Sequence, residues 1–252
     1  LFFLKDHNLK KVPISAMLLH ALAGILLFSF GNGLVSVAEV HISSSLAAII
    51  SSMIPVWIVI LNTVLNRSEY PNLRIVSGTL LGLTGIVIIF GGQIGFDRAE
   101  VREGAALMFV AGLGWAAGSI LIKRLNNSVP TTGAAAFQML GGGIVLLPAS
   151  YLFEDWSTVN PDQSSILALV YLIVFGSILA YICFLYAMRH LPVTVVSMYA
   201  YINPIVALIL GWLLLSEPLS LKIMLGVLVT LAGVLLVNNN FSNKPWVQNR
   251  EK

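Results

Sequence analysis

Eight stretches of almost unbroken apolar residues follow one another along the chain, near 14–36, 43–65, 74–90, 104–122, 131–152, 166–188, 194–214 and 221–237. Polar and charged residues collect in the short segments between them. About 20 apolar residues, each rising 1.5 Å, match the ~30 Å hydrocarbon core of a bilayer. A segment that crosses lipid alone must satisfy its backbone groups internally, which makes each run a helix. Runs of this length exclude the ~10-residue alternating strands of an outer-membrane barrel. The pattern predicts an all-α, polytopic membrane helix bundle, with the lipid bilayer as its first partner.

Composition sharpens this reading. The 252 residues are 58% hydrophobic and 10% charged, with a mean hydropathy of +0.91, where a soluble domain carries about 25% charged residues. Cys183 is the one cysteine and sits inside an apolar run, so there is no disulfide framework and no CxxC motif. The Lys and Arg are dispersed among loops, which gives no footprint for nucleic acid. No cofactor motif is present. Gly141, Gly142 and Gly143 have no strand before them and no Lys-Ser after them, so they read as close helix packing, as does the GxxxG of Gly114 and Gly118. His41 and His190 stand at helix ends, at no spacing that suggests a metal site.

Charge sets an orientation. With the segment before the first run in the cytoplasm, 11 of the 14 Lys and Arg fall inside, and only Arg98, Arg102 and Lys222 fall outside. This positive-inside bias predicts a multi-pass protein of the cytoplasmic (inner) membrane with both termini cytoplasmic. The 66–73 and 123–130 loops would lie inside, and 91–103 and 153–165 outside. The sequon at Asn126, Asn127 and Ser128 then falls on the cytoplasmic side and is discounted.

The segment "INPIVALILGWLLLSEP" at 202–218 repeats the plan of "MIPVWIVILNTVLNRSE" at 53–69. An offset of 149 pairs His41 with His190 and Pro55 with Pro204; after a one-residue gap, 148 pairs Glu69 with Glu217, Gly78 with Gly226 and Gly85 with Gly233. Glu69 would lie inside and Glu217 outside, so the repeats are inverted, which requires an odd number of helices in each. The division expected is a first repeat at 1–90, an external linker at 91–103, a second repeat of five helices at 104–237, and a cytoplasmic tail at 238–252. The first repeat has three visible helices. On this offset the natural protein would have about 45 further residues upstream of Leu1, holding one helix and most of another.

Four segments carry a resemblance to a known family: "GNGLVSVAEVHISSSLAAIISSMIPVW", "AGLGWAAGSILIKR", "YAMRHLPVTVVSMYAYINPIVALILGWLLLSEPLS" and "LGVLVTLAGVLLV". They resemble the EamA-type transporters of the drug/metabolite transporter superfamily. The resemblance implies a ten-helix fold of two inverted five-helix EamA repeats, here without about its first two helices. It also implies a central cavity and export or exchange of small metabolites by alternating access.

Pro55 and Pro204 sit inside spans at matching places and are candidate hinges, because each leaves the carbonyl four residues earlier without its helical donor. Polar residues near that level recur at helical spacing: Tyr199 with Asn203, Ser177 with Tyr181, Trp115 with Ser119, and Asn32 with Ser36. Trp57 shares the face of Ile54. Such stripes face a bundle interior or a wet cavity, either as a binding wall or as interhelical hydrogen bonding. The candidate substrate-binding set is Asn32, Trp57, Trp115, Ser119, Tyr181, Tyr199 and Asn203, suited to small amino-acid-like or amphipathic solutes. Glu69 and Glu217 are read as caps or ion-pair partners before coupling residues. His20, about two turns inside the first span, is read as a residue that hydrogen-bonds a neighbour. No Asp, Glu, Lys or Arg lies in mid-span, so no proton relay is evident; Glu39 comes nearest. A transporter is the leading reading, no enzyme activity is expected, and a membrane-embedded enzyme or a receptor-like protein is the alternative.

Overall fold

A computed structural model describes residues 12–65, 71–90, 98–125, 129–215 and 220–242. Glu69, Glu217, the sequon at 126–128 and most of the terminal segments lie outside the described residues. Within them the regular structure is helical. Eight helical units carry it: α1 (Ile14–Ala38), α2 (Ser44–Ser51 and Ile54–Leu65), α3 (Leu73–Phe90), α4 (Ala99–Arg124), α5 (Thr131–Phe153), α6 (Gln163–His190), α7 (Val193–Ser197 and Tyr199–Leu215) and α8 (Leu221–Ser242). Seven stretches of 18 or more residues are long and apolar enough to cross a membrane, and the Leu73–Ile89 stretch is a shorter apolar helix. The eight runs of the sequence and the eight helical units coincide to within a few residues.

The ends follow local chemistry. Ser43 accepts from the Leu46 N–H at 3.3 Å to start α2, and Asp162 accepts from the Ser165 N–H at 2.8 Å to start α6, each satisfying a donor that a helix start leaves free. Lys123 and Arg124 occupy the last turn of α4, the end at which the helix dipole favours cations.

The helices are not uniform. α1 widens into a π-helix at Ile25–Gly33 and α6 does so at Leu172–Leu179. α2 breaks at Ser52 and Met53, and α7 breaks at Met198. The Ser52 hydroxyl donates to the Ile49 carbonyl at 2.6 Å, and the Ser197 hydroxyl donates to the Thr194 carbonyl at 2.7 Å. Both breaks therefore fall on a Ser-Met step whose serine turns back three residues. Pro55 follows its break directly, whereas Pro204 lies inside the Tyr199–Leu215 helix, six residues beyond the break at Met198. The second interruption is thus not at the proline that marked it in the sequence.

Small residues allow the closest crossings. A Cβ on Gly24 would overlap the backbone of Gln138, and one on Gly141 the backbone of Ala21, so α1 and α5 meet backbone to backbone. Gly142 packs against Phe28, and its carbonyl accepts from Ser29 at 3.1 Å. Gly143 meets nothing within 4 Å. α3 crosses α8 in the same manner: Gly78 faces Gly233, and Gly85 faces Gly226 and Thr230. The buried Tyr201 ring lies against Gly82, and its hydroxyl donates to the Thr79 carbonyl at 2.8 Å, tying α7 to α3.

Candidate solute-binding site

Three of the seven expected residues, Trp115, Tyr181 and Tyr199, converge on one ring. The hub is Phe184, on α6. Its ring lies 5.7 Å from that of Tyr181, 6.0 Å from Tyr199 on α7 and 6.1 Å from Trp115 on α4. Tyr181 also meets Phe28 of α1 at 4.8 Å. Trp57 of α2 meets Phe109 edge-on at 4.6 Å, and its indole lies over Gly112. Gly112 stands one turn before Trp115 on α4, so both indoles use one face of that helix.

Both indole nitrogens, Trp57 Nε1 and Trp115 Nε1, are buried and have no hydrogen-bond partner. The Trp115 N–H lies near the Tyr199 hydroxyl, though not in hydrogen-bonding geometry. A buried donor left unmatched costs about 1–3 kcal/mol, and native interiors leave few of them. Two such donors on neighbouring aromatic residues are a built feature that an oxygen acceptor would complete.

The remaining expected residues separate. Ser119 is buried, one turn beyond Trp115. Asn32 and Asn203 are exposed, and the Asn32 carbonyl accepts from Ser36 at 3.2 Å. Ser177 and Tyr181 do not share an environment: Ser177 is exposed and Tyr181 is 5% exposed. Every residue from 161 to 180 is exposed, so the pair straddles the point at which α6 enters the core.

Sequence reasoning passed over Gln138. It is fully buried on α5, and its Nε2 donates to His20 Nδ1 at 2.8 Å, while its Oε1 accepts from the Tyr181 hydroxyl. His20 does hydrogen-bond a neighbour, and that neighbour leads into the aromatic cluster. A lone amide in the apolar run 131–152 was the available signal, since such groups in lipid need partners. Among the described residues, no group of His, Cys, Asp and Glu could hold a metal ion.

Comparison with known proteins identifies the family. The EamA-like transporter family matches residues 1–91 and 102–239. The chain belongs to that family. The uncharacterized inner membrane transporter YedA of Escherichia coli (strain K12) is 34% identical over 235 residues, 93% of this chain and 74% of that protein. The uncharacterized transporter YvbV of Bacillus subtilis (strain 168) is 26% identical over 167 residues, 65% of this chain and 53% of that protein. A chain of known crystal structure superimposes with a TM-score of 0.77 at 21% identity, over 94% of this chain and 80% of that one, which is a likeness of fold. This EamA-family chain is a multi-pass membrane protein of the transporter class.

Proposed function

We propose that the chain moves small amino-acid-like or amphipathic solutes across the cytoplasmic membrane, with net efflux, by alternating access between two inverted five-helix halves. The observation that carries the solute reading is the pair of unmatched indole donors on one face of α4, Trp115 against Phe184 in the ring cluster and Trp57 over Gly112. Aromatic surface with a few oriented polar groups is the usual make-up of a small-molecule pocket. Two buried N–H groups call for a solute with oxygen acceptors, such as a carboxylate or carbonyl. The two-half reading draws on the reciprocal crossing of α3 and α8. Gly78 meets Gly233 and Gly85 meets Gly226, which is the pattern of a two-fold contact at the offset of 148. The name of YedA supports an inner-membrane location. Interrupted helices α2 and α7 supply elements able to bend.

The test is counterflow in proteoliposomes containing the full-length protein, with neutral amino acids and their amides as probes. Trp115→Phe and Trp57→Phe keep an aromatic ring and remove the donor. Each should raise the half-saturation concentration by about 5- to 100-fold, the equivalent of ~1–3 kcal/mol, without loss of folded protein. Tyr199→Leu should also weaken transport, since its ring packs on Phe184. Leu228→Ala, at an exposed position on α8, should not. Normal transport by both tryptophan variants would move the site elsewhere.

A further inference from the structure

His20, Gln138 and Tyr181 form one hydrogen-bonded chain through the interior, contributed by three different helices. They are 5%, 0% and 5% exposed. The chain has a direction: the Tyr181 hydroxyl donates to Gln138 Oε1, and Gln138 Nε2 donates to His20 Nδ1 at 2.8 Å. His20 Nδ1 therefore accepts, and its ring proton belongs on Nε2. An amide donates at one end and accepts at the other, so the direction can be reversed by turning it over.

We infer that His20 is a proton-binding site that sets the hydrogen-bonding character of Tyr181, and so couples solute binding to protons. The step is a simple transfer. A proton from water adds to the lone pair on Nδ1, which turns that atom from acceptor into donor. Gln138 Nε2 can no longer face it. The amide flips, Oε1 accepts from Nδ1–H, and the amide N–H now points at the Tyr181 oxygen. Tyr181 accepts from Gln138, and its own O–H is released. That hydroxyl belongs to the ring that stacks on Phe184, so it becomes a donor available to a solute oxygen. Loss of the proton reverses each move. The chain requires neither carboxylate nor lysine in mid-span.

Among the groups that meet here, His20 carries the lone pair that can take a proton, since Gln138 is a neutral amide and Arg189 and Lys123 are already charged. On α6 the ionisable neighbours are Tyr181 and Arg189; Arg189 is the charged side chain that acts on His20, and it donates to the Val129 carbonyl. α5 offers the neutral Gln138. On α4, Lys123 reaches the Met188 and Leu191 carbonyls at 2.8 and 2.7 Å. The α1–α5 crossing at Gly24 and Gly141 brings His20 to Gln138, and any side chain there would part them.

This inference rests on the solute reading above for its consequence, but the proton site can be read without transport. Protein labelled with nitrogen-15 histidine should show one histidine, absent in His20→Gln, that is the Nε2–H tautomer when neutral and gains a proton at Nδ1 as the pH is lowered from about 8 to about 4. Gln138→Leu should abolish the tautomer preference. Tyr181→Phe should leave His20 titrating and keep the fold, so it stays informative if His20→Gln does not insert. In proteoliposomes a gradient of about one pH unit should drive up to ~10-fold solute accumulation in the wild type and ~1-fold in His20→Gln and Tyr181→Phe. A His20 that keeps one protonation state over that range overturns the inference. So does wild-type flux that ignores the gradient. A titrating His20 with no flux of any probe would uphold the switch and remove the solute reading.

Discussion

Single residues decide this fold where helices touch. Gly24 and Gly143 are both glycines in or beside the α1–α5 contact, yet only one is required there. At Gly24 even a methyl group would enter the Gln138 backbone, while a methyl on Gly143 would meet nothing within 4 Å. Without a water-driven hydrophobic effect between helices in lipid, such close packing supplies most of the association. Gly24→Val should therefore cost about 1–3 kcal/mol or more through overpacking, read as a lower melting point in detergent and less monodisperse protein. Gly143→Ala should leave both measures unchanged. Equal damage from the two substitutions would mean that the crossing is not where the structure has it.

Elements carry their own chemistry at their ends. Asp162 caps α6, and the Ser165 hydroxyl and backbone N–H hold its carboxyl below the usual 3.8. A carboxylate favoured in the folded state contributes stability above its unfolded value and loses it as the pH falls through the lower folded one. Amide exchange at Ser165 and Ile166 should therefore stay slow at pH 4 and accelerate only in stronger acid. Asp162→Ala should expose these amides already at neutral pH, and Asp162→Asn should protect them at every pH. A carboxyl that titrates at 3.8 or above would show that the cap does not form in the membrane. The interior irregularities follow another rule. Both broken helices turn at a Ser-Met step, where the hydroxyl bonds backwards, so serine rather than proline locates the second break.

At the scale of the molecule, α3 crosses α8 through paired glycines, and Tyr201 of α7 ties itself to α3 by bonding to Thr79. If the chain is built of two inverted halves, as proposed above, the loops must alternate across the membrane. In a Cys183→Ser background, an impermeant thiol reagent added outside should modify a cysteine placed at 159 and spare one placed at 125. The reverse pattern would refute the orientation, and with it the inverted arrangement.

The sequence by itself determined the class, the eight helical units and the family, because lipid imposes length and hydrophobicity on every span regardless of its neighbours. It also marked Trp57, Trp115, Tyr181 and Tyr199, since aromatic and polar groups stand out against an apolar run. It could not rank them against Asn32 and Asn203, which share the same spacing but are exposed. Which part of a helix is buried depends on the neighbours packed on it: α6 is exposed as far as residue 180 and enters the core only from Tyr181 onward. Phe184 was invisible for the opposite reason: one phenylalanine among many apolar residues has no signature until three rings meet on it. That His20, Gln138 and Tyr181 bond to one another was not in the sequence. The bonded pairs are 118 and 43 residues apart, and only the glycine crossing of α1 on α5 sets them within reach.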